Sequence, residues 1–224
     1  MRKTIFSVGE FYHVYNRGVD KRTVFEDVFD VQRFLQSMRE FNTAEPIGSL
    51  YEHSFLQLGG RASKLAGALP KKPLVNFICY CLNPNHYHFI LEEITEKGIQ
   101  RFMHRLATGY TMYFNERYKR SGALFQGKFK ASHVDSNEYL LHLSAYVNLN
   151  WRVHQLGGSA SKLVRSSWGE YTGKRRRAND TGFCKKGIIL EQFGSVKKYE
   201  KFALDALSKI QERKGELKEI EFTA

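Results

Sequence analysis

The sequence predicts an α+β fold, on three observations. Residues 74–82 (LVNFICYCL) form a nearly continuous apolar run, residues 86–92 (HYHFILE) form a second, and Asn83-Pro84-Asn85 between them is turn chemistry, so the pair reads as a β-hairpin. Residues 11–16 (FYHVYN) are aromatic and β-branched, the composition of a further strand. Two long stretches, 24–41 and 99–118, instead repeat apolar residues at helical spacing with charge between them.

Each element can be justified in order. The first strand is closed by Arg17-Gly18. The helix at 24–41 carries Phe25, Val28, Phe29, Phe34, Leu35 and Met38 at roughly helical intervals. Pro46, Gly48, Gly59, Gly60, Gly67 and Pro70 then punctuate a long loop, with a short strand expected near 54–58. After the hairpin, the helix at 99–118 gathers Phe102, Met103, Leu106, Tyr110, Tyr113 and Phe114 on one side. The basic, aromatic segment 122–134 reads as partly strand. Ser136 is a natural N-cap for the helical run 139–149. Beyond Gln155 the composition loosens into glycine, serine and charge, and 196–213 reads as one last helix. The expected organisation is a main domain over 1–155 and a C-terminal extension, 156–224, with a basic loop and the final helix.

Composition narrows the function. At 224 residues, 42% hydrophobic and 14% aromatic, the chain has enough apolar matter for one cored domain, which excludes bulk disorder. Lys plus Arg outnumber Asp plus Glu by 35 to 23, a formal charge of +12, which favours a polyanionic partner such as a phosphate backbone. No apolar stretch is long enough to span a membrane, and the basic N-terminus lacks the apolar run of a signal peptide. Cys79, Cys81 and Cys184 are too few for a disulfide framework, and the C-x-C pair reads as buried thiols on a strand. The expected compartment is the cytoplasm, with nucleoid association through DNA. One local repeat, QLGGRASKL at 57–65 and QLGGSASKL at 155–163, lacks P-loop spacing and reads as two related surface loops.

The chemistry lies in two places. His86 and His88 are two apart on a strand, so both imidazoles point to one face and Tyr87 to the other. Tyr146 and Asn150 are four apart on a helix, so they stack on one side, with His142 a turn earlier. Alone, each pair would be read as packing, and Asn150 as a helix cap. Together, two imidazoles and an amide oxygen make a mixed, incomplete ligand set. It leaves room for water and phosphate oxygens on Mg²⁺ or Mn²⁺. A phenol beside a metal-polarised phosphate can attack phosphorus and form a covalent ester.

Four ordered segments, FYHVYNRG (11–18), CLNPNHYHFIL (81–91), SGALFQGKFKA (121–131) and EYLLHLSAYVNLN (138–150), resemble the single-tyrosine HUH transposases. The resemblance is strongest to the REP-associated tyrosine transposases and their insertion-sequence relatives, and spans about residues 5–155. It implies a ferredoxin-like antiparallel sheet with helices packed on it. It also implies His86 and His88 as metal ligands, Tyr146 as the nucleophile and Asn150 as the third protein ligand, where classical insertion-sequence members carry glutamine. The implied activity is metal-dependent nicking and strand transfer of single-stranded or hairpin DNA through a 5′-phosphotyrosine. Two departures stand out. Leu82-Asn83-Pro84-Asn85 replaces the commoner Met-Pro-Asn lead-in, which is expected not to matter to the metal. Trp151 stands where the family often has proline, which bears on how the helix ends and where Asn150 aims.

The DNA track is expected along 117–134, where Arg117, Lys119, Arg120, Lys128 and Lys130 alternate with Tyr118, Phe125 and Phe129 and no acid intervenes, joined by Arg17 from the first strand. Charge follows the backbone while rings stack on bases. A second cluster, KRRR at 174–177, is a further DNA contact or a solvated run. Two rival readings stay open: a domesticated relative that grips DNA hairpins without cutting, and a nuclease that uses the metal and water with Tyr146 merely packed. Monomer and homodimer are both compatible with the sequence.

Overall fold

The computed structural model describes residues 4–45, 72–174 and 182–216. Its centre is a five-stranded sheet: β1 (Phe11–Arg17), β2 (Val75–Asn83), β3 (His86–Glu93), β4 (Lys130–Val134) and β5 (Arg165–Ser166). The strand order is β4-β1-β3-β2-β5, and every pairing is antiparallel. With α1 (Val28–Glu40) between β1 and β2, and α2 (Gly98–Arg117) between β3 and β4, the first four strands have the expected ferredoxin-like β-α-β-β-α-β order.

The pleat divides the side chains between two cores. Tyr12, Val14, Phe77, Tyr80, Leu82, Tyr87, Phe89 and Leu91 face α1 and α2 and pack on Phe34, Met38, Phe102, Leu106 and Tyr110. The opposite face presents Ile78, Cys79, Cys81 and Ile90 to α3 (Asn137–Asn148) and to the C-terminal helix. A register shift between Phe77 and Cys79 is a β-bulge, and it lets consecutive residues Ile78 and Cys79 both serve the second core.

Helix starts obey local chemistry. Val24 and Phe25 do not begin α1; their amides donate to the Pro84 carbonyl at 2.8 and 3.1 Å, pinning the chain to the hairpin turn. Asp27 caps α1 instead, accepting from Phe29 N and Asp30 N. Gly18 donates to Asn85 O at 2.8 Å, and a Cβ there would come within 2.3 Å of Arg22 O, so only glycine fits this approach to the turn. Ser136 caps α3 as expected, by accepting from Tyr139 N.

The chain beyond Gln155 is less of an appendage than the sequence suggests. After α4 (Asn150–Val153) and α5 (Gly158–Leu163), β5 joins the edge of β2, α6 (Trp168–Thr172) and α7 (Gly187–Leu190) follow, and α8 (Val196–Glu216) lies along α3. Tyr171, Ile189, Tyr199, Ala203 and Leu207 are buried in the second core, so packing is continuous across the expected boundary at 155. The Tyr171 hydroxyl donates to the bulge carbonyl of Ile78 at 2.8 Å. The strand expected near 54–58 and the first copy of the repeat lie outside the described residues; the second copy forms a turn and α5. No helix among the described residues is long and apolar enough to cross a membrane.

Candidate active site

The second face of the sheet carries the polar cluster, and strand register explains its layout. His88 lies opposite Tyr15 on one side and Cys81 on the other, while Lys130 lies opposite Tyr15. His86 lies between Arg17 and Asn83 in the next row. Residues directly opposite share a face. The sheet therefore sets Arg17 beside His86, and Lys130 one strand beyond the Tyr15–His88 pair.

Hydrogen bonds fix the His86 tautomer. Asn85 Nδ2 donates to Lys21 O at 3.2 Å, leaving Asn85 Oδ1 to accept from His86 Nδ1 at 2.6 Å. A neutral imidazole that donates through Nδ1 presents an unprotonated Nε2. That Nε2 faces Asn150 Oδ1 at 3.1 Å, and Asn83 Nδ2 lies 2.8 Å from the first and 2.7 Å from the second. His88 meets His86 edge-on, ring centroids 5.3 Å apart. Its Nδ1 is held by His13 Nε2 at 2.9 Å, and its ring stacks on Tyr15 at 5.5 Å. Burial pushes the His13 pKa down to about 4, so this imidazole is neutral near pH 7.

Tyr146 arrives from α3. Its ring stands edge-on to His88 at 5.6 Å and to His13 at 6.2 Å. The helix is held against the sheet by a buried network. Asn148 Nδ2 donates to the Tyr199 hydroxyl at 2.9 Å, the Ser167 hydroxyl donates to Asn148 Oδ1 at 2.6 Å, and Tyr80 N donates to Ser167 Oγ at 2.8 Å. Asn150 is not on the same unbroken helix. The backbone departs from α-geometry at Leu149, and Asn150 opens the short α4, fully buried and aimed at His86. Trp151 thus follows a break that a proline would also make. His142 lies elsewhere, against Phe202 at 5.0 Å.

The residues that could hold a small divalent cation are His86, His88 and Asn150. Two lone-pair atoms, His86 Nε2 and Asn150 Oδ1, converge at 3.1 Å, held together by the Asn83 amide, which donates to both. Asn150 Nδ2 is buried without a hydrogen-bond partner. Among the described residues no three His, Cys, Asp or Glu side chains form a ligand group, and the oxygen nearest His86 Nε2 in this cluster is the amide oxygen of Asn150.

The expected DNA contacts divide. Lys119, Lys128 and Lys130 are exposed, and Phe129 is half-buried near Phe6. Arg17 donates to Gln126 Oε1 at 2.8 Å on the site's rim, and Arg120 donates to Ala123 O at 3.1 Å. Arg117 and Phe125 behave otherwise. Arg117 is paired with Asp27 and with fully buried Asp30 at 2.6 Å, and its guanidinium is spent on joining α1 to α2. Phe125 is 5% exposed and packs edge-on to Tyr87 at 5.6 Å, so it fills the first core where no base can stack. Both stand in a segment whose composition hides which ring or cation turns inward. Lys174 pairs with Glu200 at 2.6 Å; residues 175–177 lie outside the described residues.

Sequence reasoning missed His13, Tyr15 and Asn83. The first two were available: in FYHVYNR the residues His13, Tyr15 and Arg17 alternate onto one face, the period of a strand. Asn83 read as turn chemistry; the Leu82–Asn85 lead-in, expected not to matter to the metal, places an amide against the His86 and Asn150 acceptor atoms.

The model of the family described as "Transposase IS200 like" matches residues 57–150, a span that contains His86, His88, Tyr146 and Asn150. It bears out the resemblance carried by the motifs. No curated protein matches the chain. A solved structure described as "Structure of the REP associates tyrosine transposase bound to a REP hairpin" is 10% identical. The similarity covers 83% of this chain and 96% of that one, at a TM-score of 0.46.

Proposed function

We propose that the protein nicks and rejoins single-stranded or hairpin DNA, with Tyr146 as the nucleophile and His86, His88 and Asn150 holding a Mg²⁺ or Mn²⁺ ion. The observation that carries this reading is that Tyr146 stands edge-on to His88, which in turn meets His86 on one sheet face, with Asn150 closing the group. The match to the IS200-like transposase family supports the reaction class.

The ion, when bound, supplies Lewis-acid polarisation of the scissile phosphate. The protein's own groups do the rest. Asn85 holds His86 with its Nε2 lone pair outward, and His13 holds His88. Arg17 and Lys130, placed by register on the β1–β4 side of the histidines, attract the phosphates that flank the scissile one. The Tyr146 oxygen attacks phosphorus, the P–O bond to the leaving strand breaks, and the DNA is left with a free 3′-OH and a 5′-phosphate esterified to Tyr146. Attack by a second 3′-OH releases the tyrosine and joins strands.

The experiment is incubation with end-labelled hairpin DNA and Mn²⁺ followed by a denaturing gel. A labelled protein adduct is the expected result. Free fragments without adduct would favour the water-using nuclease, and intact bound DNA the non-cutting binder.

A further inference from the structure

We propose that Asn83 is a fourth protein ligand of the cation site, through a side-chain amide that turns over when the cation binds. This rests on the reading of His86, His88 and Asn150 as that site.

Asn83 ends β2, fully buried, in the sheet row that also holds His86. Its Nδ2 sits at the apex of a small triangle, 2.8 Å from His86 Nε2 and 2.7 Å from Asn150 Oδ1, which are themselves 3.1 Å apart. The two amide hydrogens each have an acceptor, so without a cation the arrangement is satisfied. The NH₂ group keeps two lone pairs together that would otherwise repel. The other end of the amide has a weak tie only: Asn83 Oδ1 accepts from the buried Cys81 thiol at 3.7 Å.

An amide is donor at one end and acceptor at the other, in nearly the same volume. Rotating it about its last bond brings Oδ1 to the triangle and turns Nδ2 towards Cys81 Sγ, itself a weak acceptor. What is lost is two hydrogen bonds to the neighbouring ligands and one weak thiol bond. What is gained is a third acceptor around the point where His86 Nε2 and Asn150 Oδ1 converge, an arrangement that is favourable only with a cation at its centre. No proton is released or taken up. The added oxygen shifts the donor set towards hard cations, Mg²⁺ and Mn²⁺, and away from Zn²⁺.

The test uses the full chain, stripped of metal, titrated with Mn²⁺ and followed by loss of the free-ion EPR signal. Zn²⁺ is added in competition, and melts without metal control for folding. Asn83→Leu keeps the branched shape and removes the oxygen; Asn83→Ala removes it without any risk of overpacking; Asn83→Asp keeps an oxygen donor. The expected result is that both apolar variants bind Mn²⁺ at least about tenfold more weakly. Zn²⁺ affinity changes less, and Asn83→Asp binds Mn²⁺ at least as well as the wild type. Apolar variants that bind Mn²⁺ as tightly as the wild type, while His86→Ala still loses the ion, would overturn the role of Asn83 and leave the cation site standing. A wild-type protein that binds Mn²⁺ no better than His86→Ala would overturn both.

Discussion

Tyr146 stands edge-on to His88, ring centroids 5.6 Å apart, although the two lie 58 positions apart in the sequence, one on a helix and one on a strand. The contact brings the proposed nucleophile to the proposed ligands. Tyr146→Phe keeps the ring and removes only the oxygen that would attack phosphorus. The covalent adduct on a denaturing gel should vanish, while hairpin affinity in a gel shift stays within a few fold. An adduct that survives would send the search to Tyr15, which stacks on the same histidine.

The two histidines carry a separate expectation. His86→Ala and His88→Ala should each abolish cleavage and weaken divalent-ion binding, because each removes one donor from a set of few. Calorimetry with Mn²⁺ and the gel assay read the two effects independently. Cutting at the wild-type rate by either variant in Mg²⁺ would refute the assignment.

His13 touches a ligand rather than the substrate, so its loss should be graded. Its Nε2 holds His88 Nδ1 at 2.9 Å and fixes that ring's orientation. His13→Ala should lower Mn²⁺ affinity or cleavage rate by ~10–100-fold, the range for partners of ligating histidines. His13→Gln, which can still hydrogen-bond, should recover part of it. If His13→Ala cuts and binds Mn²⁺ like the wild type, His13 is only core.

Much of this architecture was legible in the sequence, and the illegible parts have physical reasons. The hairpin and the long helices declare themselves because a period of two or of 3.6 runs over many residues. That same period put His86 and His88 on one face. The pieces after Gln155 are two to six residues long, too short to show any period, so β5, α5, α6 and α7 passed as loop. Phe125 and Arg117 were misplaced for a related reason. Composition shows that a segment is basic and aromatic; only packing shows that Phe125 turns into the core and that Arg117 is claimed by Asp30. Asn83 was hidden because a turn asparagine and a buried amide look alike until the third partner, Asn150, is brought in from 67 residues away.

Arg117 gives a prediction about stability. Asp30 is fully buried and accepts from Arg117 at 2.6 Å and from the Tyr113 and Tyr118 hydroxyls at 3.0 and 2.8 Å. Arg117→Ala leaves the tyrosines in place, so the loss should be roughly 1.5–3 kcal/mol, the range for one hydrogen bond between charged groups. That is less than the full cost of stripping a buried pair. Burial alone would raise the Asp27 pKa, but the Arg117 hydrogen bond and charge, together with the Asp30 and Phe29 amides, outweigh it and hold the carboxyl below its ordinary value. Stability linked to Asp27 is therefore present above its unfolded pKa and is lost as pH falls through the folded one. Urea midpoints of wild type and Arg117→Ala should differ most near neutral pH and converge in acid. Equal gaps at pH 7 and pH 3 would rule out this role.

The exposed lysines bear on substrate binding. Lys128 and Lys130 flank half-buried Phe129 at the start of the edge strand, and Lys130 lies opposite Tyr15 beside the site. If both touch phosphate on a single-stranded segment, each contributes roughly 0.7 to the negative slope of log affinity against log salt. Replacing the two by alanine should flatten that slope by about 1.4. Arg117→Ala, whose guanidinium is already paired, should leave the slope unchanged once its lower stability is allowed for. Phe129→Ala should also keep the slope but weaken binding by ~1–3 kcal/mol if the ring stacks on a base. If the ring only supports Phe6, the melting temperature falls and affinity per folded molecule does not. An unchanged slope in the double lysine variant would remove this edge of the sheet from the DNA path.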